Sequence, residues 1–263
     1  MNYRRGSGGF KTRLIIGLVI AAFALFRYYS NSQYNEITGE NQRISMSPQD
    51  EITLGQQSAP QMAQQYGGLH PDDNAQEIID QIGHHIVKNS DARNSPYQFD
   101  FHVLYDENTV NAFALPGGQI FITAGLLKRL QNEDQIAGVL GHEIGHVVGR
   151  HSAEHIEKQN LTQGLVGAAS VAGGDMGSAQ MAQMVGNLIN MKYGRSDELE
   201  SDDLGVKFMI QSDYNPNALI GVMEILDQAS GGQRVPEFQS THPSPENRIH
   251  QIQEAIKKYQ NLN

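Results

Sequence analysis

The residues best suited to chemistry lie in the segment EDQIAGVLGHEIGHVVGRHSAEHIEK, residues 133–158, whose apolar spacing predicts one continuous helix. His142 and His146 are four residues apart, so both imidazoles leave one helix face a turn apart and can bind a single cation. Glu143 lies about 100° round the helix, close enough to reach a water molecule beside that cation without binding the cation itself. This His-Glu-x-x-His arrangement predicts a metal-dependent hydrolytic site in which Glu143 is the general base.

Three glycines in the same segment, Gly141, Gly145 and Gly149, are poor helix formers. Their number predicts that another backbone or a substrate passes very close to the helix.

Two other histidine pairs are predicted to be structural. His151 and His155 fall about half a turn out of phase with the ligand pair, so we expect them to cap, pack or hydrogen-bond near the helix end. His84 and His85 are adjacent and therefore diverge on a helix, which excludes a shared cation.

A catalytic zinc ion keeps three protein ligands and one open position, so a third donor must come from elsewhere. The acidic segment GRSDELESDDLGVKF, residues 194–208, places Glu198 and Asp202 four apart on a predicted helix. We expect Glu198 to bind the metal and Asp202 to accept a hydrogen bond from a ligand imidazole. Glu200 points away from this pair and is less suited to bind metal. The alternative is that these acids form a solvated helix start.

The elements that must position these residues predict an α+β, mainly α-helical fold with a small β-sheet. Alternation in YQFDFHVLY, residues 97–105, predicts a half-buried strand, and VNAFALPGGQIFITAGLL, residues 110–127, predicts two strands around a turn at 116–118. Helices are predicted to begin near Pro48 and near Asn74. Further helices are predicted near 133–158, 161–190, 196–211, 215–229 and 244–260.

Composition narrows the possible functions. The hydrophobic fraction of 39% and charged fraction of 18% are typical of a globular chain. A net charge of −10 argues against a nucleic-acid partner, which requires clustered basic residues. The chain has no cysteine, which excludes disulfides, thiolate metal ligands and cysteine nucleophiles and leaves His, Asp and Glu to bind metal.

The amino terminus predicts a membrane segment. Basic residues at positions 4, 5, 11 and 13 precede an apolar run from Leu14 to Phe26. We expect residues 1–30 to be an uncleaved signal anchor, 31–47 a linker and 48–263 the catalytic domain, outside the cytoplasm. The alternatives are a cleaved signal peptide, which would release the domain on the same side of the membrane, and a buried core helix.

The segment from 161 to 190 is rich in Gly, Ala and Met and contains one charged residue before position 190, Asp175. Two interpretations stay open: a mobile lid or a patch that rests on the membrane, and a tightly packed structural hairpin.

Four segments in order carry a family resemblance: NAFALPGGQIFITAGLL (111–127), HEIGHVVGRHSAEH (142–155), RSDELESD (195–202) and THPSPENRI (241–249). They resemble the Ste-type CaaX protease/HtpX/Oma superfamily of gluzincin peptidases, and most closely its BepA- and YcaL-like bacterial members. The resemblance implies a zincin-like metalloendopeptidase domain acting on protein or peptide. It also implies one zinc ion per subunit, bound by His142, His146 and Glu198.

The same resemblance implies roles around the metal. Arg195 matches an arginine before the third ligand and joins Asp202 as a supporting residue. His242 matches a histidine near the zinc, where it could donate to the oxyanion or gate the open site; the alternative is a capping turn before Pro243. A cleft-edge strand implied to bind extended substrate comprises Asn111, Ala112, Phe113 and Ala114.

Two departures leave the ligands in place: Gly194 stands where the family usually has serine, and Ser201 and Asp203 surround Asp202 where alanine is commoner before the aspartate. The larger difference is a short N-terminal anchor, with neither a multi-pass membrane domain nor tetratricopeptide repeats predicted, so a partner-docking role does not transfer. The functional prediction is a membrane-anchored zinc endopeptidase acting on misfolded envelope proteins. Two alternatives are a chaperone-like binding module with a gated or structural zinc site and a hydrolase of non-peptide substrates.

Overall fold

The computed structural model describes residues 8–173, 194–230, 238, 241–242 and 247–261. The helices are α1 (Gly8–Ser30), α2 (Pro48–Gln65), α3 (Asp73–Asn89), α4 (Ala124–Leu127), α5 (Glu133–Val148), α6 (His151–Gly173), α7 (Arg195–Gln211), α8 (Ala218–Ser230) and α9 (Arg248–Gln260). The strands are β1 (Gln33–Asn35), β2 (Glu40–Gln42), β3 (Asp100–Leu104), β4 (Ala112–Ala114) and β5 (Gln119–Thr123). The fold is mainly α-helical with small sheets, as predicted.

The chain divides into two compact units. Among the described residues, the first unit comprises 8–34, 40–45 and 153–173. It contains α1, most of α6, strand β2 and the first two residues of β1, and the two strands pair. Both strands lie in the segment predicted to be a linker, residues 31–47, and Ile44 within that segment is buried.

The second unit contains a three-stranded sheet of order β3-β5-β4. Strand β3 runs parallel to β5, from the pair Asp100–Gln119 to the pair Leu104–Thr123, whereas β4 runs antiparallel to β5. The predicted turn is present between β4 and β5. Gly117 and Gly118 adopt φ values of 79° and 111°, a region that side chains with a Cβ rarely occupy.

Helix α5 begins where the sequence predicts and ends earlier. Asn132 caps its first turn, and Glu133 and Asp134 place negative charge at the positive end of the helix dipole. The helix stops at Val148 because Arg150 adopts φ 56°, so the predicted continuous helix 133–158 is wrong. The chain then resumes as α6 from His151.

A buried ion pair stabilises this unusual turn. Nε of Arg150 donates to Oε1 of Glu51 at 2.9 Å, and its guanidinium also donates to the carbonyl of Met46 at 3.0 Å. The hydroxyl of Tyr97 donates to the other carboxylate oxygen of Glu51 at 3.1 Å. These contacts offset the cost of a left-handed conformation at a non-glycine residue.

The backbones of α5 and α7 approach closely at glycine positions. A Cβ on Gly145 would lie 2.9 Å from the carbonyl oxygen of Ser201, and one on Gly141 would lie 3.3 Å from that of Gly205. The prediction that another backbone passes close to these glycines is confirmed. This contact brings the acidic start of α7 beside the histidines of α5.

The remaining helix predictions hold to within a few residues for α7, α8 and α9. Helix α6 is described as far as Gly173, and the rest of the predicted helix 161–190, including Asp175, lies outside the described residues.

Candidate metal centre

Two helices and one later segment of the second unit bring four possible metal donors together. His142 and His146 come from α5, Glu198 from α7 and His242 from a short described segment before α9. One donor atom from each lies within 4.8 Å of all the others. The structure thus brings together the three predicted ligands and places His242 beside them.

The separations between these donors suit a tetrahedral cation. Nε2 of His142 and Nε2 of His146 are 3.0 Å apart, and carboxylate oxygens of Glu198 lie 3.5 and 3.4 Å from these two nitrogens. Nδ1 of His242 lies 3.0 Å from Glu198 and 3.4 Å from Nε2 of His142. Ligand bonds of about 2.0–2.2 Å in a tetrahedron separate the donors by about 3.3–3.6 Å. The donor set therefore fits zinc.

Glu143 is buried next to this cluster with both carboxylate oxygens unpartnered among the described residues. Buried polar atoms without hydrogen bonds are uncommon and costly, so their persistence points to a functional partner such as water or substrate. Oε1 of Glu143 lies 3.7 Å from Nε2 of His242. This position suits proton transfer at the edge of the cluster.

Asp202 lies against the first histidine of the cluster. Its Oδ1 lies 2.8 Å from Nδ1 of His142, which leaves Nε2 of that ring facing the other donors.

Arg248 in α9 neutralises the acids of α7. Its Nε and one terminal nitrogen donate to both oxygens of Asp202, at 2.6 and 2.9 Å, and the other terminal nitrogen lies 3.2 Å from Glu198. Arg195, which the resemblance made a supporting residue, is exposed at the first position of α7. The guanidinium beside the site is thus that of Arg248. In the sequence, the only indication of a role for Arg248 is its position in the segment THPSPENRI, which carries part of the family resemblance.

His151 supports the second histidine, which the sequence did not predict in this form. Its Nδ1 lies 2.8 Å from Nδ1 of His146, and its Nε2 lies 2.9 Å from Oε2 of Glu200. In a continuous helix, His151 would point about half a turn away from the ligand pair. The turn at Arg150 instead folds this ring back onto α5. Glu200 lies outside the donor cluster, in agreement with its predicted direction.

The buried histidines and carboxylates of the cluster shift one another's pKa. Burial lowers the pKa of His142, but hydrogen bonds with Asp202 and Glu198 outweigh burial and raise that pKa to about 9. Burial holds the pKa of His146 well below its ordinary value, which keeps a lone pair available. Burial opposes ionisation of Glu198, yet the three neighbouring histidines hold its pKa well below the usual range.

Burial also raises the pKa of Glu143, its charge interactions with His242 and His142 acting the other way. A carboxylate with a raised pKa is a better base than an ordinary glutamate. The two glutamates of the site therefore differ in character. Glu198 stays anionic, and Glu143 can exchange protons.

The implied substrate residues lie at a sheet edge whose strand packs against α5, the helix that carries the two histidines. Ala112, Phe113 and Ala114 form β4, at one edge of the described three-stranded sheet, and Asn111 precedes it. Immediately upstream, the carbonyl of Val110 accepts a hydrogen bond from the backbone N–H of Phe238 at 3.1 Å.

Phe238 and His242 cover the cluster. Their rings stack at 4.4 Å between centroids, and the backbone N–H of His242 donates to the carbonyl of Phe238. The four donors and Glu143 are each at most 1% exposed. Glu143 and the four donors are thus shielded from solvent in this conformation.

Comparison with known sequences gives one family. The profile described as "Peptidase family M48" matches residues 73–256. The mitochondrial metalloendopeptidase OMA1 of Schizosaccharomyces pombe is 31% identical over 253 residues, 94% of this chain and 72% of that protein. The beta-barrel assembly-enhancing protease of Escherichia coli K12 is 33% identical over 183 residues, 66% of this chain but 37% of that protein. OMA1 of Saccharomyces cerevisiae is 28% identical over 267 residues.

Proposed function

This chain belongs to peptidase family M48 and is a metalloendopeptidase, and from that premise we propose that it uses one zinc ion to cleave misfolded proteins of a bacterial envelope. The observation that carries the proposal is the buried cluster of His142, His146 and Glu198 with Glu143 beside it. The net charge of −10 and the absence of thiols support a histidine and carboxylate zinc site and no nucleic-acid partner.

His142, His146 and Glu198 would hold the zinc ion, which when bound supplies Lewis-acid activation of the scissile carbonyl and of water. Glu143 then takes the proton of the attacking water on a carboxylate oxygen and delivers it to the leaving amine nitrogen. Asp202 fixes the tautomer of His142 by accepting its Nδ1–H. Arg248 keeps Asp202 and Glu198 ionised by placing a positive charge against both.

We further propose that substrate competes with the cover for the edge at β4. An extended peptide adding to this edge would use backbone groups near Val110 to Ala114, and Phe238 already binds the carbonyl of Val110. His242, one of the four donors, is then a gate that leaves when substrate enters, instead of an oxyanion donor. A gated site accounts for complete burial without requiring a chaperone-like function.

For location, we propose that α1 anchors the chain in the bacterial inner membrane with the second unit in the periplasm. The span Gly9–Ser30 is long and apolar enough to cross a bilayer. Arg13 and Lys11 lie near its start and favour a cytoplasmic amino end. Among relatives we favour the BepA- and YcaL-like bacterial members, a choice supported by 33% identity to the Escherichia coli protease.

The test uses the full chain in detergent, with metal content and casein cleavage measured on the same preparations. Glu143→Gln should retain one zinc ion and lose cleavage, whereas Glu198→Ala should lose the zinc ion as well. Glu224→Gln, an exposed glutamate on α8, is the matched control and should match wild type.

Cleavage by Glu143→Gln at the wild-type rate would refute the proposal. If zinc-loaded wild type prevents casein aggregation but never cleaves it, the chaperone-like alternative is correct.

A further inference from the structure

Helix α1 has two chemically different sides. Its large apolar residues, among them Leu18, Phe23 and Phe26, are exposed. Gly17 is buried and Ala21 and Ala24 are half-buried, and they follow one another at helical spacing. Small residues on one side of an apolar helix allow another backbone to approach closely, as in helix pairs within membranes.

Helix α6 packs closely against the side of α1 that carries the small residues. A Cβ on Gly164 would lie 2.9 Å from the Cβ of Ala24, so the two backbones are in near contact at this level. One turn further along α6, Ala168 is buried, while Leu165 and Val171 are exposed. Within this unit, α6 therefore repeats the arrangement of α1, with small residues on the covered side and larger apolar residues outside.

The direction of α6 follows from a second contact in the same unit. Glu157, seven residues before Gly164, accepts a hydrogen bond from Ser45. Arg43, close to Ser45 in the chain, stacks on the tyrosines at the end of α1. Gly164 contacts Ala24, inside the apolar part of α1. Helix α6 thus runs back along α1, from its polar end into its apolar part.

The polarity of α6 changes at the same level. The last charged residue before Gly173 is Lys158, and from Gly164 to Gly173 the sequence is GLVGAASVAG. The one hydroxyl in this stretch, on Ser170, donates to the carbonyl of Val166 at 2.7 Å, so it needs no partner from water. This stretch can leave water without stranding a polar side chain.

The polar end of α1 marks where the aqueous phase begins. Arg43 stacks on Tyr28 and Tyr29, at 5.6 and 4.4 Å from the ring centroids. Aromatic rings with basic partners are typical of the membrane interface. Ala24 lies about one helical turn from Tyr28, on the apolar side of this interface. From there, the nine-residue step from Gly164 to Gly173 adds about 13–14 Å of helix at 1.5 Å per residue.

We propose that α6 from Gly164 to Gly173 enters the bilayer beside α1, so that a helix pair and not a single helix holds the chain in the membrane. The inference rests on the proposed anchoring role of α1. The exposed side chains of Leu165 and Val171 extend the apolar surface of α1, and lipid acyl chains cover both. Of the two interpretations of this segment, membrane contact therefore applies to its described part.

The chain contains no tryptophan, so a single introduced tryptophan reports its own surroundings. Leu165→Trp, Phe23→Trp in α1 and Tyr105→Trp at an exposed site after β3 are each reconstituted as full chain. The vesicles are phosphatidylcholine with or without bromine atoms at mid-chain. Leu165→Trp should lose the same fraction of its emission to brominated lipid as Phe23→Trp, and Tyr105→Trp should keep its emission.

The outcomes separate the two proposals. Quenching of Phe23→Trp without quenching of Leu165→Trp overturns the inference and leaves the anchor intact. If neither is quenched, the anchor and the inference both fail.

A second measurement tests the packing itself in this cysteine-free chain. Ala24→Cys combined with Gly164→Cys should form a disulfide in vesicles on mild oxidation. Ala24→Cys with Leu165→Cys should not, because Leu165 lies on the exposed side. Equal cross-linking of both pairs, or of neither, would contradict the helix pair.

Discussion

The imidazoles of His146 and His151 meet at 2.8 Å between their Nδ1 atoms, across the turn that ends α5. We expect His151→Phe to weaken zinc affinity by about 10–100-fold, the usual effect of losing a partner that orients a ligand. Competition with a chromophoric chelator measures this affinity. His250→Gln, an exposed histidine on α9, is the control, and equal affinities for both variants would contradict the positioning role of His151.

Substitution of Arg248 and of Arg195 tests which arginine supports the acids of the site. Arg248 contacts them in the structure, and Arg195 is the one that the family resemblance implied. Arg248→Met leaves the buried carboxylates of Asp202 and Glu198 without their cation and should lower the free energy of unfolding by about 3–5 kcal/mol. Arg195→Met should change it by about 0.5 kcal/mol or less, as for other exposed positions. Urea unfolding of chelator-treated protein measures both. A larger loss for Arg195→Met would reverse the assignment.

Two glycines of α5 should respond oppositely to the same added methyl group. In Gly145→Ala the new Cβ would press on the carbonyl of Ser201, so we expect a loss of about 1–3 kcal/mol in unfolding free energy. In Gly138→Ala the nearest atom is 3.4 Å away, in Leu219, so better helix propensity should stabilise the protein by about 1 kcal/mol or less. Thermal unfolding compares the two, and equal shifts would argue against the close approach.

Removing the gate should raise proteolysis. Since a minor open state commonly holds about 0.1–10% of a population, His242→Ala should increase casein cleavage by about tenfold or more. Three donors remain to hold the zinc ion. An oxyanion donor predicts the opposite, a fall in cleavage. The double variant His242→Ala with Glu143→Gln must be inactive, which ensures that the measured cleavage comes from this site.

Local patterns predicted the core of the site because its geometry is itself local. Four-residue spacing on a helix places His142 with His146 and Glu198 with Asp202, whatever surrounds them. The turn at Gly117 and Gly118 can be predicted in the same way, because positive φ angles favour glycine.

The supporting residues depend on contacts between distant parts of the chain. Arginine rarely adopts the left-handed backbone conformation that follows α5, and Arg150 adopts it where Glu51, 99 residues earlier, binds its guanidinium. Without that turn, the phase of a continuous helix directs His151 away from His146. Arg248 similarly reaches Asp202 only because α9 returns beside α7.

The near contact of Gly141 and Gly145 with α7 has a thermodynamic consequence for metal uptake. Because the packing of α5 against α7 sets Glu198 opposite the two imidazoles, the coordination sphere is preorganised and little conformational entropy is lost when the ion arrives. The rate of zinc exchange should then depend on how often Phe238 and His242 move aside, and not on folding of the protein around the ion.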